Sequence, residues 1–94
     1  MNIYETTVTK QIKESKIGSY ELLMESSEFE SNLITLAQKF NGQKSHKSYL
    51  CSKDNSVNGF DIKFSFKTED ERDTFVLVLQ TKYNVSIENS FFSV

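Results

Sequence analysis

Residues 60–67 read FDIKFSFK, a stretch in which apolar and polar side chains alternate without interruption. Because successive side chains of a β-strand point to opposite faces, this alternation predicts a strand with one face in the core and the other in water. The apolar positions that share the buried face are Phe60, Ile62, Phe64 and Phe66. The preceding DNSVNG at 54–59 is rich in turn formers, so we expect a hairpin whose first arm is SHKSYLCSK at 45–53.

A helix is predicted directly after this strand, from about residue 69 to residue 82. Thr68 and Glu71 have the spacing of a capping box, and acidic residues fill the first turn, as the helix dipole favours. The composition of TFVLVLQT at 74–81 is that of a strand, and we let the capping signal decide between the two. The residues that this helix is expected to bury are Phe75, Val76, Val78, Leu79 and Tyr83.

An earlier helix is predicted within residues 27–42, SEFESNLITLAQKFNG, because its apolar residues recur on one helical face. Those residues are Phe29, Leu33, Leu36, Ala37 and Phe40. Ser27 and Glu30 have the spacing of a second capping box, which would begin the helix. Gly42 stands where a left-handed C-cap is expected.

The N-terminal part of the chain allows two interpretations. The alternation in IYETTVTKQI at 3–12 is typical of a strand. The following SYELLMES at 19–26 is either a second strand, with Tyr20, Leu22 and Met24 on one face, or a backward extension of the first helix. The helical alternative is supported by Glu, Leu and Met, which are good helix formers.

The last segment, YNVSIENSFFSV at 83–94, alternates Val85 and Ile87 with polar residues and predicts a final strand. The resulting order is strand, helix, strand, strand, helix, strand, in a single domain that spans residues 1–94. This order predicts an α+β, two-layer, ferredoxin-like βαββαβ sandwich, with two helices on one face of an antiparallel sheet. If both N-terminal segments are strands, the fold has an extra N-terminal strand at a sheet edge.

Length and composition exclude several classes of protein. The 94 residues are 37% hydrophobic and 26% charged with a net charge of −2, which is typical of one globular domain. A single Cys excludes an internal disulfide and a multi-Cys zinc site. The longest apolar run, at 75–79, is far shorter than a membrane span, and the N-terminus lacks the pattern of a secretory signal. We therefore expect a cytoplasmic protein, in the host cytoplasm if it is phage-encoded, with no membrane partner.

Few residues are available for catalysis. His46 and Cys51 are the only His and the only Cys, and in a strand their spacing places them on opposite faces. The lone Arg72 makes bidentate phosphate recognition unfavourable, and no nucleotide-binding, metalloprotease or hydrolase motif is present. The sequence therefore predicts a non-enzymatic protein with no catalytic residue, no metal and no cofactor.

Residues 39–53 are basic, with no acidic residue among them, and indicate one class of partner. Lys44, Lys47 and Lys53 could follow a phosphate backbone while Tyr49 stacks on a base, so a nucleic-acid-binding module is the alternative function. Against it, the net charge is negative and the strand at 60–67 keeps its aromatic residues on the core face. The purely structural interpretation of the segment is a solvated edge strand on which lysines block the addition of another strand.

A protein-binding module remains as the leading hypothesis. Phe91 and Phe92 are adjacent in a predicted strand and face opposite sides, so one of them is exposed unless a partner or a second subunit covers it. Pairs of Phe residues near the end of a chain more often complete the hydrophobic core of their own domain than form an interface. Candidate contact surfaces are these residues, an exposed sheet edge and the acidic residues on either side of the basic segment. A homodimer is a further alternative.

The residue usage indicates an origin. The chain has no Pro and no Trp, and its only Ala and only Arg are Ala37 and Arg72. Such usage is typical of AT-rich genomes, among them those of low-GC bacteria and their phages. The simplest interpretation is codon bias without functional content, and the alternative is a phage or mobile-element accessory protein, such as an inhibitor of a host enzyme or defence complex.

Overall fold

The computed structural model describes residues 1–16, 19–54 and 56–93. Its elements are β1 Asn2–Lys16, α1 Tyr20–Gln38, β2 Gln43–Cys51, β3 Ser56–Phe66, α2 Glu69–Lys82 and β4 Ser86–Ser93. The strands form one antiparallel sheet in the order β2-β3-β1-β4, with β3 and β1 at the centre. The predicted ferredoxin-like βαββαβ sandwich is therefore confirmed. No helix in the described ranges combines the length and the apolar character needed to cross a membrane.

The core lies between the two helices and one face of the sheet, which we call the helix face. Phe60, Ile62, Phe64 and Phe66 of β3 are all buried on it, as their alternation predicts. They are joined there by Val8 of β1. The residues that the two helices add to this core are Phe29, Leu33, Leu36, Ala37, Phe75, Val76 and Leu79. The opposite face of the sheet, which we call the open face, is not covered by a helix.

The first helix begins earlier than its sequence signal indicates. Ser19 is the N-cap, and its hydroxyl accepts a hydrogen bond of 3.3 Å from the backbone N–H of Leu22. The predicted start at Ser27 with Glu30 is therefore wrong, because Ser27 lies inside α1, in its third turn, with its side chain exposed. The second N-terminal strand is also absent from the described residues, since SYELLMES belongs to α1.

The end of α1 also differs from the expectation. The left-handed residue is Asn41, with φ of 61°, and not Gly42. The N–H of Gly42 donates to the carbonyl of Ala37 at 2.8 Å and closes the last turn. Gly42 is required for a different reason: a Cβ at this position would lie 2.6 Å from Cζ of Phe66, inside van der Waals contact.

The second helix follows the prediction closely. The N–H of Glu71 donates to Thr68 Oγ1 at 3.2 Å, and the Thr68 hydroxyl donates back to the Glu71 carboxylate at 2.8 Å. Phe75 and Leu79 are fully buried. The cap and the acidic first turn thus prevail over the strand propensity of the Val-rich segment, because helix formation buries these side chains against the sheet.

Candidate functional site

The two outer strands of the sheet, β2 and β4, differ in how far they are protected. Each pairs with a single neighbour, so one backbone edge of each strand has no strand partner among the described residues. An open edge is where another chain adds a strand, unless lysines, bulges or a covering element prevent it. The predicted contact residues lie on these two strands and on the turn after β2.

Strand β2 is tied to α1 by two ion pairs. Lys44 Nζ lies 2.6 Å from Glu30 Oε2, and Lys47 Nζ lies 2.9 Å from Glu30 Oε1. The Lys47 side chain is only 16% exposed, so its charge lies against α1 and not toward the solvent. One carboxylate therefore pairs with two of the four lysines of the predicted basic segment.

The ion pairs alter the titration of Glu30. The hydrogen bond from Lys44 lowers the pKa of this carboxyl below its ordinary value, and partial burial opposes that change. Lys47 lowers the pKa further, through its hydrogen bond and its charge. Glu30 is consequently a carboxylate at neutral pH, and its two ion pairs link β2 to the helix.

Tyr49 also joins β2 to α1. Its hydroxyl lies 3.2 Å from Ser26 Oγ on α1, and its ring meets Phe60 edge to face at a centroid distance of 6.4 Å. The Lys47 ammonium lies 5.2 Å from the centroid of the Tyr49 ring. The structure thus brings Lys44, Lys47 and Tyr49 together on the side of β2 that faces α1, whereas Lys53 lies apart, exposed in the turn after β2.

Strand β2 also carries other features that protect an edge. Its register against β3 shifts twice, between Lys44 and His46 and between Leu50 and Cys51. Bulges of this kind twist an edge and interrupt the ladder that an added strand would follow. His46 and Cys51 are both exposed, and no group of metal-ligating side chains occurs within the described residues.

Strand β4 is an open edge without such protection. It pairs with β1 in one unbroken register, from Asn2 opposite Ser93 to Thr9 opposite Ser86. It contains no Lys and no Pro, and its only charged residue is Glu88. Because α2 packs mainly on β1 and β3, most of β4 lies beyond the layer of helices.

The two phenylalanines at the end of the chain are both exposed. Phe91 is 62% exposed on the helix face, where it stacks on Tyr4 at a centroid distance of 5.9 Å. Phe92 is 44% exposed on the open face, opposite Ile3. The expectation that the pair finishes the core is therefore wrong, because most of β4, including these two residues, lies beyond the layer of helices.

Arg72 has a structural role beside the exposed phenylalanines that the sequence pattern did not predict. It is buried on α2, and its Nη1 donates to the backbone carbonyl of Ser90 at 3.1 Å. Its guanidinium carbon lies 5.5 Å from the centroid of the Tyr4 ring, and its Nε donates to Asp73 at 3.0 Å. The signal was available, since Arg72 shares the buried face of α2 with Phe75, three residues later. The only Arg of the chain thus attaches β4 to α2.

A third exposed apolar group lies at the start of α1. Tyr20, Leu23 and Met24 are exposed there, whereas Leu22 is buried. The strand interpretation required Tyr20, Leu22 and Met24 to share one face. In the helix they do not, because Leu22 is buried while Tyr20 and Met24 are exposed. Exposed carboxylates of Glu21 and Glu25 border the group.

A shallow depression of about 680 Å³ lies between the end of α1 and the start of α2. Its charged groups are Lys44, Lys67 and Glu71. Lys44 is paired with Glu30, and Glu71 accepts hydrogen bonds from Asn41 and Thr68, which lower its pKa. The polar groups of this depression are thus largely used within the chain.

No family model and no curated protein matches the sequence. Among solved structures, the chain is similar to the de novo designed protein Foldit4, with a TM-score of 0.52 and 8% identity over 99% of this chain and 97% of the design. It is also similar to the 30S ribosomal protein S6 from Thermotoga maritima, with a TM-score of 0.45 and 13% identity over 94% and 86%.

A further match is an amidase of the hydantoinase/carbamoylase family from Burkholderia multivorans, with a TM-score of 0.47 and 8% identity. The match covers 98% of this chain but only 27% of the amidase. At such low identity, the likeness to the designed protein shows the fold and nothing of the function.

Proposed function

We propose that this protein is a non-enzymatic protein-binding module that accepts an extended segment of its partner at the outer edge of β4. The observation that carries the proposal is the pairing of an unprotected edge with two exposed aromatic rings. Phe91 and Phe92 lie next to each other in β4, on opposite faces of the sheet. An added strand would therefore meet one ring on each face.

Strand addition uses two kinds of interaction, and β4 offers both. The backbone of the added strand pairs with the open edge, which contributes affinity, and its alternate side chains contact residues on the two faces, which contributes specificity. The register of β4 has no shift, so its outer edge presents the backbone groups of every second residue without interruption. Phe91 is supported from beneath by Tyr4, so its ring is already oriented before a partner binds.

The alternative, a nucleic-acid-binding module, stays a prediction with less support. Lys44 and Lys47 would have to release Glu30 before they could neutralise phosphates. Tyr49 would have to turn away from Ser26 to stack on a base. Of the four residues predicted for this role, Lys53 alone lies outside β2, in the exposed turn after the strand.

The wider biological role is also part of the proposal. The residue usage, with no Pro or Trp and a single Arg, supports a phage or mobile-element accessory protein that acts in the host cytoplasm as an inhibitor of an enzyme or defence complex. The exposed group of Tyr20, Leu23 and Met24 gives such a protein a second contact surface, on the side of α1 away from the core.

The experiment compares capture by three forms of the tagged protein from a lysate of the native host. The double variant Phe91→Ser, Phe92→Ser is expected to lose the proteins that the wild type retains. Leu77→Ser is the matched control, because Leu77 is an exposed apolar residue on α2, at 65% exposure, and its variant should retain them. Equal capture by all three forms would remove β4 as the binding surface.

A salt series with generic RNA and DNA tests the alternative. Strong binding that falls steeply with salt would favour the nucleic-acid-binding module and contradict the proposal. If neither nucleic acid binds, the protein-binding proposal is supported against this alternative.

A further inference from the structure

We propose that the strand that adds to β4 is β4 of a second copy of this chain, in an antiparallel two-fold dimer centred on Asn89. This inference rests on the proposed function, since it names the protein that β4 binds. The two sheets would join into one sheet of eight strands, with all four helices on the same face. The observations that carry it are the self-complementarity of β4 and the protection of the other edge.

Symmetry restricts the register of such a dimer. An antiparallel pair about a two-fold axis perpendicular to the sheet keeps the helix faces of both copies on one side. Residues that oppose each other must then lie on the same face, and faces alternate along a strand. The axis must therefore pass through a residue of β4 and not between two residues.

An axis through Asn89 gives apolar pairs on the helix face and keeps like charges apart on the open face. On the helix face, Ile87 lies opposite Phe91 of the second copy, which pairs two apolar side chains at each end of the interface. On the open face, Glu88 lies opposite Ser90 of the second copy, and Phe92 lies opposite Ser86. The two Glu88 carboxylates are thus kept out of direct opposition, and seven of the residues in β4 take part.

The neighbouring registers are worse. An axis through Glu88 would place the two Glu88 carboxylates opposite each other, and like charges in directly opposed positions destabilise a sheet. An axis through Ser90 would place Phe92 opposite Glu88 and Phe91 opposite Asn89, so that each ring would meet a polar side chain. An axis through Phe91 would shorten the paired segment to residues 89–93. The register centred on Asn89 is therefore the one that the side chains favour.

This register also joins the cores of the two copies. One row of cross-strand neighbours on the helix face runs Ile62, Val8, Ile87. A second row runs Phe66, Tyr4, Phe91. In the dimer, the first row of one copy meets the second row of the other, so an apolar row continues from β3 of one copy to β3 of the other. Ile87 and Phe91, which lie at the open ends of these rows, gain an apolar neighbour.

The rest of the fold allows this contact and disfavours the other edge. Because α2 packs mainly on β1 and β3, β4 projects past the helices and leaves space beside it for a second strand. At the opposite edge, β2 carries two register shifts and the paired Lys44 and Lys47, which interfere with strand addition. A sheet that can extend only at β4 closes as a dimer and does not grow into a fibre.

Cysteine cross-linking tests the register. Directly opposed residues of an antiparallel pair have Cα atoms about 4.5–5.5 Å apart, within the range for a disulfide, whereas residues displaced by two are about 7–8 Å apart. In a Cys51→Ser background, Asn89→Cys is expected to form a covalent dimer under mild oxidation. Ser90→Cys, which would lie diagonally from its counterpart, and Gln80→Cys on the exposed side of α2 are the matched controls.

The result that overturns the register is faster cross-linking of Ser90→Cys or Gln80→Cys than of Asn89→Cys. Sedimentation of the unmodified chain gives the independent measurement, with a mass that rises with concentration toward twice the 10.9 kDa of one chain. Phe91→Ser is expected to raise the dimer dissociation constant about tenfold or more, equivalent to about 1.4 kcal/mol or more, since aromatic residues dominate the energy of interfaces.

The dimer and the proposed function fail in different ways. A mass of one chain at every concentration up to about 1 mM, a Kd equivalent to roughly −4 kcal/mol, overturns the dimer. If that monomer still captures a host protein through Phe91 and Phe92, the proposed function stands without the dimer. If the dimer forms while capture is the same for wild type and variant, β4 is a dimer surface alone.

Discussion

The ammonium group of Lys47, on edge strand β2, donates a hydrogen bond of 2.9 Å to Oε1 of Glu30 on α1. The other carboxylate oxygen accepts from Lys44 at 2.6 Å, so a single acidic residue forms ion pairs with both of these lysines. Two charges that look like a binding surface in the sequence therefore hold an edge strand to a helix in the fold. Their removal affects stability before it affects recognition.

The stabilisation that Glu30 provides through its ion pairs should be lost at acid pH. Its pKa is lower in the folded state than the ordinary value of 4.5, so its contribution is complete above that value and is lost as the pH falls through the lower, folded value. We expect the free energy of unfolding of Glu30→Gln to fall less steeply than that of the wild type between about pH 5 and pH 2.

Urea unfolding across this pH range measures the effect. Glu28→Gln is the matched control, since Glu28 is an exposed carboxylate on the same helix, and its profile should follow the wild type. Some acid sensitivity will persist in Glu30→Gln, because hydrogen bonds also lower the pKa of Glu71 and Asp54. Parallel profiles for wild type and Glu30→Gln would show that the ion pairs contribute nothing measurable.

Thr6→Val should stabilise the protein. Thr6 is fully buried in β1 between Phe64 and Asn89, and among the described buried side chains its Oγ1 is the polar atom without a hydrogen-bond partner. Burial of an unpaired hydroxyl costs about 1–3 kcal/mol, and Val has nearly the same shape. We expect an increase of about 1 kcal/mol in the free energy of unfolding, measured in urea.

The control for this substitution is Thr7→Val, one residue along the same strand on the open face. Thr7 is only partly buried, and its hydroxyl can reach water, so its variant should differ from wild type by less than about 0.5 kcal/mol. A loss of stability in Thr6→Val would mean that the hydroxyl has a partner, such as a buried water, and would contradict the prediction.

Gly42→Ala should destabilise the protein through a steric contact. A Cβ at residue 42 would overlap the ring of Phe66, which is itself buried in the core and has little freedom to move. Overpacking of this kind costs about 1–3 kcal/mol. Denaturant unfolding gives the size of the loss.

Asn41→Gly separates sterics from backbone conformation. Residue 41 has the left-handed φ, which glycine adopts freely, so this variant loses only the side-chain hydrogen bond to Glu71. We expect a smaller change than for Gly42→Ala. If Gly42→Ala is neutral and Phe66 keeps its environment, the close approach does not constrain the position.

Periodicity predicted the fold well, because the patterns in β3 and α2 agree with their surroundings. The alternation of Phe60 through Phe66 and the capping box of Thr68 each specify a local structure that the global fold also requires. The start of α1 was predicted wrongly because Ser27 and Glu30 have the spacing of a capping box, whereas Ser19, the N-cap that forms, has no Glu or Gln three residues later. Leu22, in the first turn after Ser19, is buried in the fold, and the local cap signal does not show this burial.

The candidate site was less predictable, because exposure depends on where neighbouring elements end. The sequence places Phe91 and Phe92 on opposite faces, but it does not show that α2 stops short of β4. In the same way, the lysines of β2 look free until Glu30, on a helix that precedes the strand, is seen beside them. In both cases, the exposure of a side chain depends on residues that are distant in the sequence.

Arg72→Met should loosen β4 without unfolding the protein. The substitution removes the hydrogen bond to the Ser90 carbonyl and the contact with Tyr4, and it keeps an apolar side chain on the buried face of α2. A hydrogen bond from a charged group contributes about 1.5–3 kcal/mol, so the loss falls mainly on the strand that it anchors. Relative to wild type, we expect hydrogen exchange in Arg72→Met to become faster in β4 and to stay nearly unchanged in β3.

Lys82→Met is the control, since Lys82 is an exposed residue in the last turn of the same helix, and its exchange pattern should match wild type. The proposed dimer gives a further readout: a loosened β4 should bind a second copy more weakly, so Arg72→Met should raise the dissociation constant. Uniformly faster exchange across β1, β3 and β4 would instead assign Arg72 to the stability of the whole fold. That outcome would contradict its role in positioning β4.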